Sequence, residues 1–296
     1  CNTVAQAVKS VGAIPIYYDI TKDFQPDIKS LINEANKDIA AVIISDVYGV
    51  PQNIHPWLQN LSNKPLVIAD FAHHLDFDFD LGNRPWIDVI LFSSNYYKLI
   101  SSVGCGILCI LTDKLDLEDS IMINNNYLRA VKKTVLLWLI NLALHSPFLP
   151  FIYRNIFKKS GDKRLFSLKE MSKPASTVAL AQAFVSRRTC NRKENYDIYQ
   201  RSIPNIPIIE CGENATYYSI LLPSEEKERI HEDALRRGLL LGRIFGDIAG
   251  KGSSSCPVSN DLASRVLNMP FLCTLAECKY ATSIIKDIFV KGFDNE

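Results

Sequence analysis

The sequence predicts an α/β protein, a mostly parallel sheet between helices, followed by a smaller C-terminal α+β unit. Two observations carry that expectation. Short apolar runs alternate with amphipathic segments of helical period, as expected for strands covered on both faces. Two of those runs, Pro65 to Asp70 and Asp88 to Ser93, also end abruptly in polar side chains. In open parallel sheets, the carboxyl ends of strands are where ligands sit.

Taken in order, Thr3 to Val11 has a helical pattern that Gly12 stops, and Ile14 to Asp19 reads as a strand. Asp27 to Asn36 places Ile28, Leu31 and Ile32 on one helical face, with Pro26 just ahead of it. Ile39 to Ile44 is a continuous apolar strand, Val47 to Pro51 the loop after it, and Ile54 to Leu61 a short helix. Further strands run through Val67, Val89 and Ile107. Farther on, Ala175 to Arg188 is an Ala-rich helix. The basic cluster Arg187, Arg188, Arg192 and Lys193 marks the solvated part of a long helix. Tyr217 to Leu222 reads as a strand, Glu225 to Arg237 as a charged helix stopped by Gly238, and Leu239 to Leu241 as another strand. Leu275 to Lys291 is the closing helix. The division falls between a large domain, 1–185, with a hydrophobic insert at about 129–166, and a small domain, 186–296.

The 296 residues suffice for a core and one smaller domain. A net charge of +1 gives no general grip on a phosphate backbone, which argues against nucleic-acid binding. The eight cysteines form no CxxC pair and read as reduced thiols of a cytoplasmic protein. No signal peptide is evident, and the chain opens on Cys1 in what reads as mid-helix, the pattern of a fragment lacking its N-terminus. Thr134 to Tyr153 carries no formal charge and has basic flanks in Lys132, Lys133 and Arg154. Pro147 and Pro150 break any helix there before it could span a bilayer. Burial against the sheet or a partner subunit is the expected role, with peripheral membrane contact through 134–153 as the alternative.

The chemistry concentrates between Lys64 and Ile110. A strand-end Asp70, a strand-end Ser93 and Lys98 five residues later, before the small-residue turn Ser101 to Gly106, form the layout of a pyridoxal-phosphate (PLP) site. An aspartate can keep the pyridine nitrogen protonated while a lysine holds the aldehyde as a Schiff base. Tyr96 and Tyr97 ahead of Lys98 would confine its amine and lower its pKa. His73 stands where it could hydrogen-bond or stack on the ring, and Ser93 could donate to the phosphate. Each has a structural alternative: Asp70 as a helix N-cap, His73 as a core histidine, Lys98 as a solvated surface residue. A rival constellation, Asp70, His73 and His74 with Asp76, Asp78 and Asp80, would suit a metal-dependent hydrolase. Alternate carboxylates on one face of an edge strand explain the same spacing.

These motifs, in this order, resemble the DegT/DnrJ/EryC1/StrS family of fold-type-I, PLP-dependent sugar aminotransferases. The similar stretches are Gly12 to Ile20, Val47-Tyr-Gly-Val-Pro51, Ile68-Ala-Asp-Phe-Ala-His73, Phe92-Ser93 through Lys98, Met171-Ser172 and Leu267-Asn-Met-Pro270. The resemblance implies a homodimeric transaminase that moves an amino group, from glutamate, to a nucleotide-linked keto-sugar. Lys98 would be the Schiff-base residue, Asp70 the pyridine partner, His73 the ring-side residue and Ser93 a phosphate ligand. Tyr48 and Arg243 are candidate substrate contacts. Leu168 stands where the family has an Asn that reaches a neighbouring subunit's cofactor. A non-catalytic relative acting as a binding module is therefore the alternative.

Overall fold

The computed structural model describes residues 2–34, 38–73, 84–94, 105–113, 115, 122–123, 169–170, 192–203, 206–209, 217–242, 256–271 and 273–293. Helix α1 (Asn2–Ser10) leads into an extended segment and then α2 (Ile28–Glu34). The first strands are β1 (Ala41–Ser45), β2 (Leu66–Asp70), β3 (Val89–Ser94) and β4 (Cys105–Ile110), with α3 (His55–Leu58) between β1 and β2. They form one sheet in the order β1-β2-β3-β4, the first two pairings parallel and the last antiparallel. Alternate residues face opposite sides. Val42, Ile44, Val67, Ala69 and Ile90 therefore share one face, where Leu31 of α2 and Trp57 and Leu58 of α3 cover them. Ile43, Ser45, Ile68, Asp70 and Leu91 share the other.

Two short strands, β5 (Met122–Ile123) and β6 (Lys169–Glu170), pair in parallel. The C-terminal part comprises α4 (Arg192–Ser202), β7 (Tyr218–Leu221), α5 (Ser224–Arg236), α6 (Pro257–Arg265), β8 (Val266–Met269) and α7 (Leu275–Phe293). β7 and β8 are antiparallel, and α7 packs on α4 and α5. A second core gathers Tyr199, Tyr218, Ile220, Ile230, Leu241, Leu267 and Ile285 with Phe24, Tyr48 and Val50 from the N-terminal part. Elements far apart in sequence thus share one apolar interior. The expected domain boundary at 185, the helix of 175–188 and the insert at 129–166 lie outside the described residues.

Two expected strands are absent. Ile14 to Asp19 joins no sheet, and its nearest pairing is the isolated bridge between Ile20 and Pro26. Pro15 has no amide hydrogen to give a ladder, and Ile14 is 85% exposed. Leu239 to Leu241 runs extended, with Leu239 and Leu241 buried, but pairs only through the single bridge Gly242–Asn268 that follows it. Gly238, at φ +81°, ends α5 in the left-handed turn that glycine favours.

Helix α6 had not been expected, and its N-terminus is held from the other end of the chain. The Asp19 carboxylate accepts the Val258 and Ser259 N–H groups, both at 2.9 Å, and the Ser259 hydroxyl at 2.6 Å. It also accepts its neighbour Ile20 N–H at 2.9 Å. Burial pushes this carboxyl up, but the Ser259 hydroxyl and the three N–H groups outweigh it and hold the pKa below the ordinary 3.8. Asp19→Ala is expected to cost about 1–2 kcal/mol, the range of a lost cap. The sign follows from the depressed pKa. The contribution is full above the ordinary carboxylate value and fades as pH falls through the lower folded-state pKa. Urea denaturation at pH 7 and near pH 3 checks this, since the gap between wild type and variant should shrink in acid.

Candidate functional site

The parallel register brings Ser45, Asp70 and Leu91 level across three strands and onto one face. Ser93 lies two residues beyond Leu91 along β3, on that same face, and pairs with Gly106 of the antiparallel β4. A carboxylate and a hydroxyl on neighbouring strands thus share one face at the carboxyl edge of the sheet. Gly106 suits this edge, because a Cβ there would stand 3.2 Å from the Phe92 carbonyl oxygen.

Asp70 is half-buried. Its Oδ1 accepts the Ala72 N–H at 3.0 Å, a side-chain turn that starts the loop after β2. Among the described residues, its Oδ2 has only a long contact with the Ser45 hydroxyl, 3.4 Å. One oxygen is therefore committed to the loop and the other remains able to accept a strong hydrogen bond. The described residues 71–73 form a turn, so here Asp70 organises a loop start.

His73 is 9% exposed and lies between two tyrosines. Tyr48 meets it edge-on, with ring centroids 6.2 Å apart, and Tyr217 lies tilted at 5.3 Å. Tyr217 directly precedes β7, so the C-terminal part supplies one wall of this site. Tyr48 is 2% exposed and holds a left-handed backbone at φ 59°, within a 3₁₀ turn (Val47–Gly49). A non-glycine residue there is strained and persists only where its surroundings impose it. Phe24 packs edge-on against Tyr48 at 5.6 Å, and Asp46 and Val47 carbonyls accept the Gly49 and Val50 N–H groups.

Sequence reasoning passed over Asp46, although Asp46 ends its strand much as Asp70 does. Asp46 is one residue out of step with Asp70, because Ser45 is the residue level with it. It is fully buried, faces Arg84 at 3.0 and 3.2 Å, and accepts the Gln52 N–H at 3.0 Å. Arg84 also lies over the Phe71 ring, 5.5 Å from its centroid. Tyr217 likewise carried no signal, since only the fold brings it to His73.

Of the expected site residues, the structure brings Asp70 and Ser93 to one sheet edge and places His73 against Tyr48. Lys98, Arg243, His74, Asp76, Asp78, Asp80 and Leu168 lie outside the described residues. Among the described residues, no three His, Cys, Asp or Glu side chains gather into a metal set. No described helix is long and apolar enough to cross a membrane, and 134–153 lies outside the described residues.

The fold is similar to that of solved aminotransferase structures. It superposes on a crystal structure of a DegT DnrJ EryC1 StrS aminotransferase from Brucella abortus with a TM-score of 0.62 at 16% identity, covering 96% of this chain and 76% of that one. The sugar aminotransferase CalS13 of Micromonospora echinospora gives 0.63 at 13% identity, over 97% and 78% of the two chains. NtdA of Bacillus subtilis, solved with bound cofactor PMP, gives 0.61 at 16% identity, over 95% and 65%. At these identities the likeness establishes the fold. No family model matches the sequence, and no curated protein does.

Proposed function

We propose that this chain is a PLP-dependent aminotransferase that moves an amino group from an amino acid, glutamate, to a nucleotide-linked keto-sugar. The observation that carries the reading is the half-engaged Asp70 carboxylate at the carboxyl end of β2. It stands level with the face that bears Ser93 and three residues before the tyrosine-flanked His73. The residues fit the cofactor. An acceptor suits a protonated pyridine nitrogen, a hydroxyl suits a phosphate, and an imidazole held by aromatic rings suits the side of a flat heterocycle.

Bound there, the cofactor supplies an electron sink for the carbon that loses a proton. Asp70 would keep the pyridine nitrogen protonated, and its low-dielectric strand end strengthens that attraction. Lys98 would supply the amine that anchors the cofactor and then carries the proton at the substrate carbon. Ser93 would hold the phosphate. Tyr48, buried behind His73, fixes the imidazole, while Tyr217 closes the site from the C-terminal part. Arg243 would meet an anionic group of the substrate. The reading extends to a cytoplasmic homodimer in which 134–153 is buried against the sheet or the partner subunit, with peripheral membrane contact as the alternative.

The test is direct. The purified chain is mixed with pyridoxal phosphate, and its absorption is followed before and after borohydride, then with glutamate and keto-sugar nucleotides. A protein-bound band that borohydride bleaches, that is lost in Lys98→Ala and that changes with glutamate supports the reading. A chain that takes up no cofactor, or one whose uptake ignores Lys98, rules it out.

A further inference from the structure

The start of the last helix, α7, carries a feature that the proposed reaction does not use. Thr274 and Glu277 form a reciprocal capping box. The Thr274 N–H donates to the Glu277 carboxylate at 2.8 Å, and the Glu277 N–H donates to the Thr274 hydroxyl at 3.3 Å. Thr274 is therefore the N-cap, Cys273 the residue before it, and Cys278 the fourth residue of the helix. Side chains at those two positions pack against each other across the helix start, ordinarily as an apolar staple. Here both are thiols, and the Cys273 thiol donates to the Pro270 carbonyl at 3.5 Å.

Asn195 of α4 holds the pair in place. Its Nδ2 donates to the Phe271 and Cys273 carbonyls, both at 2.9 Å, and lies 3.7 Å from Cys273 Sγ. The Cys278 thiol lies 3.7 Å from the Asn195 carbonyl oxygen. Cys278 is fully buried, whereas Cys273 is only partly buried. Neighbouring Cys273, opposed by burial and aided by Tyr199 and Thr282, pulls the Cys278 thiol down to about 7. Burial and the two cysteines push the Tyr199 phenol up, so it stays a neutral donor. A structural thiol in apolar surroundings would be shifted the other way.

We propose that Cys273 and Cys278 are a reversible dithiol–disulfide site, closed by exchange with a low-molecular-weight disulfide. The less buried Cys273 sulfur, its proton lost, attacks one sulfur of the small disulfide. A Cys273 mixed disulfide forms and one small thiolate leaves. Cys278 then gives up its proton and attacks Cys273 Sγ, forming the intramolecular bond and releasing the second thiolate. Two protein thiols are oxidised and one small disulfide is reduced to two thiols, a two-electron exchange. The positions before and four residues into a capped helix start bring two side chains together across one turn, the approach that disulfide closure requires.

Tryptic cleavage after Arg265 and Lys279 leaves both thiols on one peptide, Val266 to Lys279, with no other cysteine. The intact chain is equilibrated in glutathione/glutathione-disulfide buffers, acid-quenched, alkylated, digested and weighed. The disulfide-to-dithiol ratio in the folded chain should exceed that of the isolated peptide in the same buffer by roughly tenfold or more, the effect of holding two groups together. Cys278→Ser should stop at the Cys273 mixed disulfide, and Cys273→Ser should leave Cys278 without adduct. A folded-chain ratio no higher than that of the peptide overturns the proposal. So does equal adduct formation on Cys278 when Cys273 is serine.

Discussion

Asp70→Asn is expected to lower kcat by about 10²- to 10³-fold, the scale set by removing one well-aimed electrostatic group from an active site. The substitution keeps the shape. The amide oxygen can still accept the Ala72 N–H that opens the loop, and the amide nitrogen can face the Ser45 hydroxyl, which accepts as well as donates. Folding stability should therefore change by no more than about 1 kcal/mol. What disappears is the negative charge that, in the proposed role, would favour a proton on the pyridine nitrogen. Cofactor uptake through Lys98 should persist, since that bond forms at the other end of the ring. A thermal melt close to wild type, a retained protein-bound absorption band and a collapsed kcat together bear out this role. Full activity in Asp70→Asn would return Asp70 to a purely local role in the loop.

Much of this architecture can be read from the order of residues, and the failures share a physical cause. Apolar runs such as Ala41 to Ile44 and Leu66 to Ala69 announce strands, and the structure buries one face of them through Val42, Ile44, Val67 and Ala69. The polar residue that ends such a run is just as visible. Which way it points is another matter. Asp46 and Asp70 follow near-identical runs, yet one residue of register sends the first to the helix-covered face and the second to the opposite one. Only strand pairing decides that. Helix α6 was missed for a similar reason. Its sequence, Pro257 to Arg265, is mostly polar, and its cap is Asp19, which lies 240 positions from Ser259. The Tyr217 wall of the site is also made by packing. Conversely, the Ile14 to Asp19 segment has strand-like residues but carries Pro15, and composition outweighed that missing donor.

The largest effect on stability is expected from Arg84→Met, about 3–5 kcal/mol. Asp46 has no solvent exposure, so water cannot replace the Arg84 guanidinium when that side chain is removed. Arg84 presents one nitrogen to both carboxylate oxygens, and its side chain is 17% exposed, which puts the effect toward the lower end of that range. The stack on Phe71 adds a smaller loss, roughly 0.5–1 kcal/mol. The double variant Asp46→Asn/Arg84→Met should recover a large part of the stability. Removing both charges removes the burial penalty along with the attraction. Urea midpoints of the two single variants and the double variant measure that coupling, and simple additivity would refute it. The same pair acts on the site through the turn it closes. Asp46 accepts the Gln52 N–H at 3.0 Å, and the Gln52 side chain bonds the Phe24 carbonyl. Together these close the loop in which Tyr48 holds its left-handed backbone against His73. Tyr18 feels the same charge: burial, then Asp46, pushes its phenol up. It therefore stays a neutral donor to the Ile43 carbonyl. Asp46→Asn keeps the Gln52 contact and should hold the loop, whereas Asp46→Ala loses it. Cofactor affinity should therefore fall more in Asp46→Ala than in Asp46→Asn, although both lose the same charge. Equal losses in the two would mean that the turn does not position His73.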